Sequence, residues 1–141
     1  MSTQMDKSLL VSDVMLPVGR FPVLKPAAFL KVALEEMGKS RLGIVCIVNP
    51  DMTLAGILTD GDIRRQLLTM QKPFSAFFGD DAIDHAVTSP TTVRVHAPLF
   101  EAVEIMERKQ VWDLPVVDST GRLSGLLHLH PVVQRLLGLG N

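Results

Sequence analysis

Aromatic residues are scarce in this chain. Tyrosine is absent, Trp112 is the only tryptophan, and six phenylalanines complete the set. That leaves little from which to build a stacking platform for single-stranded nucleic acid. An excess of one charge is also lacking. Fourteen Lys and Arg face fifteen Asp and Glu, a net charge of −1, so there is no basic footprint for nucleic acid. The single cysteine, Cys46, excludes an internal disulfide. It lies inside the apolar run 44–48, reads as a buried thiol, and fits a reducing, cytoplasmic setting. No apolar run approaches the roughly 18 residues needed to span a membrane, and the amino terminus lacks the charged-then-apolar order of a signal peptide. Neither nucleic acid nor membrane is therefore expected as a partner.

The chain does have enough apolar residues for a sizeable core. They make up 47% of its 141 residues, which argues against disorder. Residues 1–10 read as a disordered tail. Val11 to Pro17 reads as a short helical turn stopped by Pro17. Val23-Leu24 is a short strand, and Pro26 leads into a helix over 28–39, with Leu30, Ala33, Leu34 and Met37 on one face. Ile44 to Val48 is a strand buried on both faces. A turn at 49–51 precedes a strand over 54–58 and a helix ending near Met70. Residues 73–85 form a connector. Within it, Phe74, Phe77 and Phe78 read as a short amphipathic turn on the core, the alternative being an exposed partner surface.

The same order then returns. Shifting the chain by 69 residues aligns 24–68 with 93–137 without a gap. Identities such as Leu30/Leu99, Ala33/Ala102, Met37/Met106, Gly56/Gly125 and Leu58/Leu127 fall at apolar positions within elements. The second copy predicts strands at 93–95, 114–118 and 123–127, and a helix over 99–109. Its last helix runs over 131–137, with Pro131 at the favoured first position. The fold class is α/β (α+β): two β-α-β-β-α copies, over 11–72 and 86–141, with pseudo-two-fold symmetry. Each copy is too short to close a good core alone, so the two small sheets are expected to pack face to face.

Chemistry is concentrated in one decapeptide, Gly-Ile-Leu-Thr-Asp-Gly-Asp-Ile-Arg-Arg at 56–65. A strand runs straight into a helix there. Thr59 stands at the N-cap and Asp62 three residues later, the spacing of a capping box. A first helical turn has unpaired N–H groups and the positive end of the helix dipole, and such a turn can hold a phosphate. Thr59, Asp60, Gly61, Asp62, Arg64 and Arg65 are the candidate ligand-binding residues. The plainer alternative is that Thr59 and Asp62 only cap the helix while the arginines are solvated. Elsewhere His128 and His130, two apart, would share one side of a strand. With no acidic residue beside them in the sequence, they make a poor metal site, and none is assigned. No nucleophile has a recognisable base partner and no Gly-rich phosphate loop is present, so no catalytic residue is expected.

The tandem unit, with Asp13-Val14-Met15-Leu16-Pro17 opening the first copy and Gly56-x-x-Thr59-x-x-Asp62 ending its last strand, resembles a pair of CBS domains, the Bateman module. The similarity runs from about residue 11 to residue 137. It implies a nucleotide site in the cleft between copies, with Asp62 on the ribose hydroxyls and Thr59 near the phosphate. It also implies a homodimer. Gly125-Leu-Leu-His-Leu-His130 places His128 where Thr59 stands, so His128 joins the candidates. Pro131 takes the place of Asp62, so at most one well-formed site per chain is implied.

The motif at 56–65 together with 125–130 further resembles the regulatory carboxy-terminal part of arabinose 5-phosphate isomerases, which serve the Kdo branch of lipopolysaccharide synthesis. That similarity implies an attached amino-terminal sugar-isomerase domain, for which this chain has no room. It also implies an effector such as CMP-Kdo, or AMP, ADP or ATP, with no cofactor required. The alternatives are a dimerisation module without a ligand and the CBS pair of a sugar nucleotidyltransferase.

Overall fold

The computed structural model describes residues 8–69 and 71–138. Residues 1–7 of the tail expected over 1–10, the helix end at Met70 and the last residues 139–141 lie outside these, whereas Leu9 accepts a bond from the Leu99 N–H and Leu10 bridges Pro98. Two compact units emerge, one formed by residues 19–90 and the other by residues 8–18 together with 91–138.

The contiguous unit, 19–90, follows β1 (Leu16–Pro17), which belongs to the other unit. Its own elements are β2 (Val23–Leu24), α1 (Leu30–Ser40), β3 (Ile44–Val48), β4 (Leu54–Thr59), α2 (Asp60–Thr69) and α3 (Phe74–Phe78). The sheet order is β2-β3-β4, with β2 parallel and β4 antiparallel to β3. All five residues of β3 are buried, as a continuous β-branched run in a covered central strand should be. Helix α1 buries Leu30, Ala33 and Met37, spaced three and four apart on one face. These pack with Val45, Ile47, Leu58 and Ile63.

The connector is part of this core. Phe77 is only 1% exposed within α3, and Ala82 is fully buried. A short 3₁₀ turn, Ala82–His85, follows, and Val87 then bridges Ile57 of β4. Phe74, by contrast, is 64% exposed. The expected amphipathic turn thus forms, with Phe77 as its buried residue.

In the discontinuous unit the helical turn expected over 11–17 forms only in its first part. A 3₁₀ turn covers only Val11–Asp13, and the chain then extends into β1 (Leu16–Pro17). Pro17 has no N–H to donate and fits the edge of a sheet. The remaining elements are β5 (Val93–Arg94), α4 (Leu99–Lys109), β6 (Asp113–Val117), β7 (Leu123–His128) and α5 (Leu129–Leu136). The sheet order is β1-β7-β6-β5. Val11 is fully buried among Leu99, Met106, Leu114 and Leu127, and its N–H donates to the Ala97 carbonyl at 2.9 Å. Helix α5 begins at Leu129 rather than at Pro131, which puts the proline third in the helix. No intrahelical bond is lost, because N–H groups of the first turn have no partner inside a helix.

The internal repeat is visible in local detail. Helices α1 and α4 both end on a non-glycine residue in left-handed conformation, Arg41 (φ 57°) and Gln110 (φ 55°), which are 69 positions apart. Both hairpins shift register at equivalent points, Ile47/Val48 and Val116/Val117.

The glycine that opens each motif has the same task. A Cβ on Gly56 would lie 2.9 Å from the Val87 carbonyl oxygen. On Gly125 it would lie 2.7 Å from that of Leu16. In each unit the glycine lets a neighbouring segment cross close over the sheet. The second copy does not build its core by itself. The unit holding α4 and α5 is completed by Val11, Val14 and Met15 from 75 or more residues earlier in the chain.

Candidate functional site

The dense motif folds as its spacing demands. Strand β4 ends at Thr59 and α2 starts at Asp60. Thr59 Oγ1 accepts a hydrogen bond from the Asp62 N–H at 3.1 Å, and Asp62 Oδ2 accepts one from the Thr59 N–H at 3.2 Å. This is a reciprocal capping box with aspartate in the usual glutamate position. Asp62 Oδ1 takes Arg65 Nη2 at 2.6 Å; the Asp62 side chain is 19% exposed and that of Arg65 68%. Arg64 is exposed.

The expectation of unpaired donors at this helix start does not hold. The Asp60 N–H donates to the Gly43 carbonyl at 3.0 Å, and the Gly61 N–H donates to Asp60 Oδ1 at 2.8 Å. The Asp62 N–H is used by Thr59. The reason is local: two short side chains, threonine and aspartate, reach the donors that a bare helix would leave open. The room comes from Gly43, whose missing Cβ would sit 2.9 Å from Asp60 Oδ1. What the cluster still offers is two flexible guanidinium groups. Asp62 adds a carboxylate whose oxygens have lone pairs beyond the bonds they already accept.

Sixty-nine positions on, the arrangement is different. The Leu129 N–H donates to the Trp112 carbonyl at 2.9 Å, repeating the Asp60–Gly43 bond. His128 precedes α5 without capping it. Its Nδ1 instead meets Asp113 Oδ1 at 2.7 Å, across the antiparallel register that sets Asp113 opposite His128. Sequence spacing gave no sign of this partner, although the hairpin register would have supplied it. His128 and His130 do not share a strand face as expected, because β7 stops at His128 and His130 belongs to α5. Among the described residues no group of three or more His, Cys, Asp or Glu side chains is disposed to hold a metal.

At the opposite end of this sheet lies an open groove of about 590 Å³, lined by Arg94, His96, Asp118, Ser119 and Ser124 among others. Asp118 Oδ1 accepts bonds from the Thr120 hydroxyl at 2.7 Å, the Thr120 N–H at 2.8 Å and the Arg122 N–H at 3.1 Å. These hold its carboxyl below the ordinary aspartate value, the Thr120 hydroxyl having the largest effect.

A second cluster went unread in the sequence. His85 Nε2 meets Asp80 Oδ2 at 2.7 Å, Lys72 Nζ donates to the same oxygen at 2.6 Å, and His85 Nδ1 faces Gln66 Oε1. The hydrogen bonds from Lys72, then His85, lower the pKa of Asp80. Nothing in the spacing of Gln66, Lys72, Asp80 and His85 marks them as neighbours. Only the path of the chain from α2 past α3 to the turn at 82–85 brings them together.

Comparison with known proteins agrees with the architecture. An uncharacterised protein of Helicobacter pylori J99 is 36% identical over 127 residues, covering 89% of this chain and 36% of its own length. The arabinose 5-phosphate isomerase KdsD of Escherichia coli K12 is 30% identical over 128 residues, covering 89% of this chain and 37% of the relative. The chain thus spans little more than a third of these relatives. Among solved structures, CBSX2 in complex with AMP superposes with a TM-score of 0.81 at 29% identity, covering 92% of this chain and 97% of that one. Among the described residues no helix is long and apolar enough to cross a membrane. The CBS domain model matches residues 11–69 and again 82–137, and the chain belongs to the CBS domain family as a tandem pair.

Proposed function

We propose that this chain is a regulatory module that binds a nucleotide or sugar nucleotide at the first turn of α2. The observation that carries the reading is Asp62, a part-exposed carboxylate held in place by Thr59 and flanked by Arg64 and Arg65. Such a carboxylate accepts paired ribose hydroxyls, and the guanidinium groups supply charge to a phosphate. A relative in fold and sequence, CBSX2, has been crystallised with AMP. Arg65 exchanges Asp62 for the phosphate when ligand arrives. Asp60 and Gly61 line the turn, and His128 stands at the equivalent position in the other unit.

The finer reading is that the module controls a sugar-phosphate isomerase domain of the kind named in KdsD, in Kdo synthesis, with CMP-Kdo as effector. The protein then works as a cytoplasmic homodimer. An effector regulates only if it binds two states with different affinity.

Calorimetric titration and thermal shift with AMP, ATP and CMP-Kdo test the reading, on the native chain and on Asp62→Asn, which retains an acceptor for the cap. A ligand at about 100 times its dissociation constant stabilises by about 2.7 kcal/mol. Absence of a shift with all three, or an equal shift in Asp62→Asn, refutes the site. One observation favours a second reading, a dimerisation module without ligand: the N–H donors of Asp60, Gly61 and Asp62 are already satisfied from within the chain.

A further inference from the structure

The imidazole of His85 is enclosed by hydrogen-bond acceptors. The side chain is about 9% exposed, and its ring stands edge-on to Phe77 with centroids 4.8 Å apart. Nε2 faces a carboxylate oxygen of Asp80 and Nδ1 faces Oε1 of Gln66. The orientation of the Gln66 amide is set by its other end, where Nε2 donates to the His85 carbonyl at 3.0 Å. Turning the amide over would set its oxygen against that carbonyl. Both ring nitrogens therefore have to donate, and a neutral imidazole has only one N–H.

We propose that His85 is a proton-gated latch between the connector and helix α2. Doubly protonated, the ring ties Gln66 of α2 to Asp80, which follows α3. When it loses a proton, the charge-assisted bond to Asp80 keeps the one that remains. Nδ1 then presents a lone pair to Gln66 Oε1, and α2 keeps only the Gln66 Nε2 bond to the His85 carbonyl.

The groups facing the ring from each packed element are few. Lys72, before α3, and Asp80, after it, form an ion pair at 2.6 Å. Helix α2 contributes Gln66, and α3 contributes the uncharged Phe77. On the histidine's own turn Asp84 is exposed. Asp80 is the anion that balances the ring, and its lowered pKa keeps it ionised. Gln66 follows directly on Arg65, the partner of Asp62. The latch is independent of whether a nucleotide binds there.

Nitrogen-15 NMR of the histidine rings in the full chain, from about pH 5 to pH 9, tests the latch. The expected result is two protonated nitrogens on His85 at the acid end and loss of the Nδ1 proton as pH rises. The Gln66 side-chain amide and the backbone amides at the end of α2 move with that titration. In His85→Gln their pH dependence disappears. In Asp80→Asn, a second variant should the first not fold, the titration moves to lower pH. A ring with a single N–H throughout overturns the proposal, as do α2 amides that titrate unchanged in both variants.

Discussion

Gly125→Ala puts the packing of β1 on β7 to the test. The new Cβ would lie 2.6 Å from Met15 Sδ, 2.7 Å from the Leu16 carbonyl oxygen and 3.0 Å from Met15 Cγ. The Met15 side chain is flexible and yields. The Leu16 carbonyl is backbone in a strand of two residues, paired at Leu16↔Leu126 and Pro17↔Gly125, and it moves only if that pairing loosens. Overpacking of this kind costs about 1–3 kcal/mol. Removing a glycine from the unfolded chain returns about 0.4–1 kcal/mol. The net is a loss of up to about 2.6 kcal/mol with a midpoint of about 1.3 kcal/mol, or a fall of about 5 °C in Tm at about 4 °C per kcal/mol. Gly38→Ala is the internal control. It lies within α1 with nothing inside 4 Å of its would-be Cβ, and is exposed. Helix propensity then raises stability by about 0.5–1 kcal/mol. Thermal melts followed by circular dichroism, with amide exchange at β7 to localise the effect, decide the matter. If Gly125→Ala melts at or above the native chain with β7 protection intact, the close crossing is wrong.

Three further outcomes are expected. Phe77→Ala costs about 3–5 kcal/mol, whereas Phe74→Ala, at a site 64% exposed, stays within about 0.5 kcal/mol; urea melts of both check that the connector is core. Asp118 contributes stability that is present above the ordinary aspartate range and is lost as pH falls through its lowered value. Thr120→Ala removes the strongest cause, so its Tm falls below native at neutral pH and converges with it in acid. A fragment starting at Ala86 lacks Val11 and β1 and does not fold on its own; a peptide covering 8–18, added separately, restores its circular dichroism.

Much of the architecture was legible because the copies repeat apolar positions at a constant offset, and a pattern seen twice is hard to produce by accident. Helix 99–109 and the buried run 44–48 were readable for that reason. The capping box at Thr59 and Asp62 was readable because it is contained within four residues. What escaped depends on distance. The pairing of Leu16 with Leu126 and the cage around His85 join residues that only tertiary structure brings close, and the meeting of Asp113 with His128 needs the register of their hairpin. The two helical residues before Pro131 were hidden because a proline reads as a start even when it is the third residue of a helix.

The two units differ in when synthesis makes them complete. Residues 19–90 emerge as one uninterrupted stretch, so that half has its whole core once α3 and its following turn leave the ribosome. The other half has its first strand ahead of that stretch and its central hairpin after it. Val11 and Leu16 must therefore stay unpaired while about 100 intervening residues are translated, several seconds at ordinary elongation rates. That interval makes the leading segment the part of the nascent chain most exposed to chaperones and proteases.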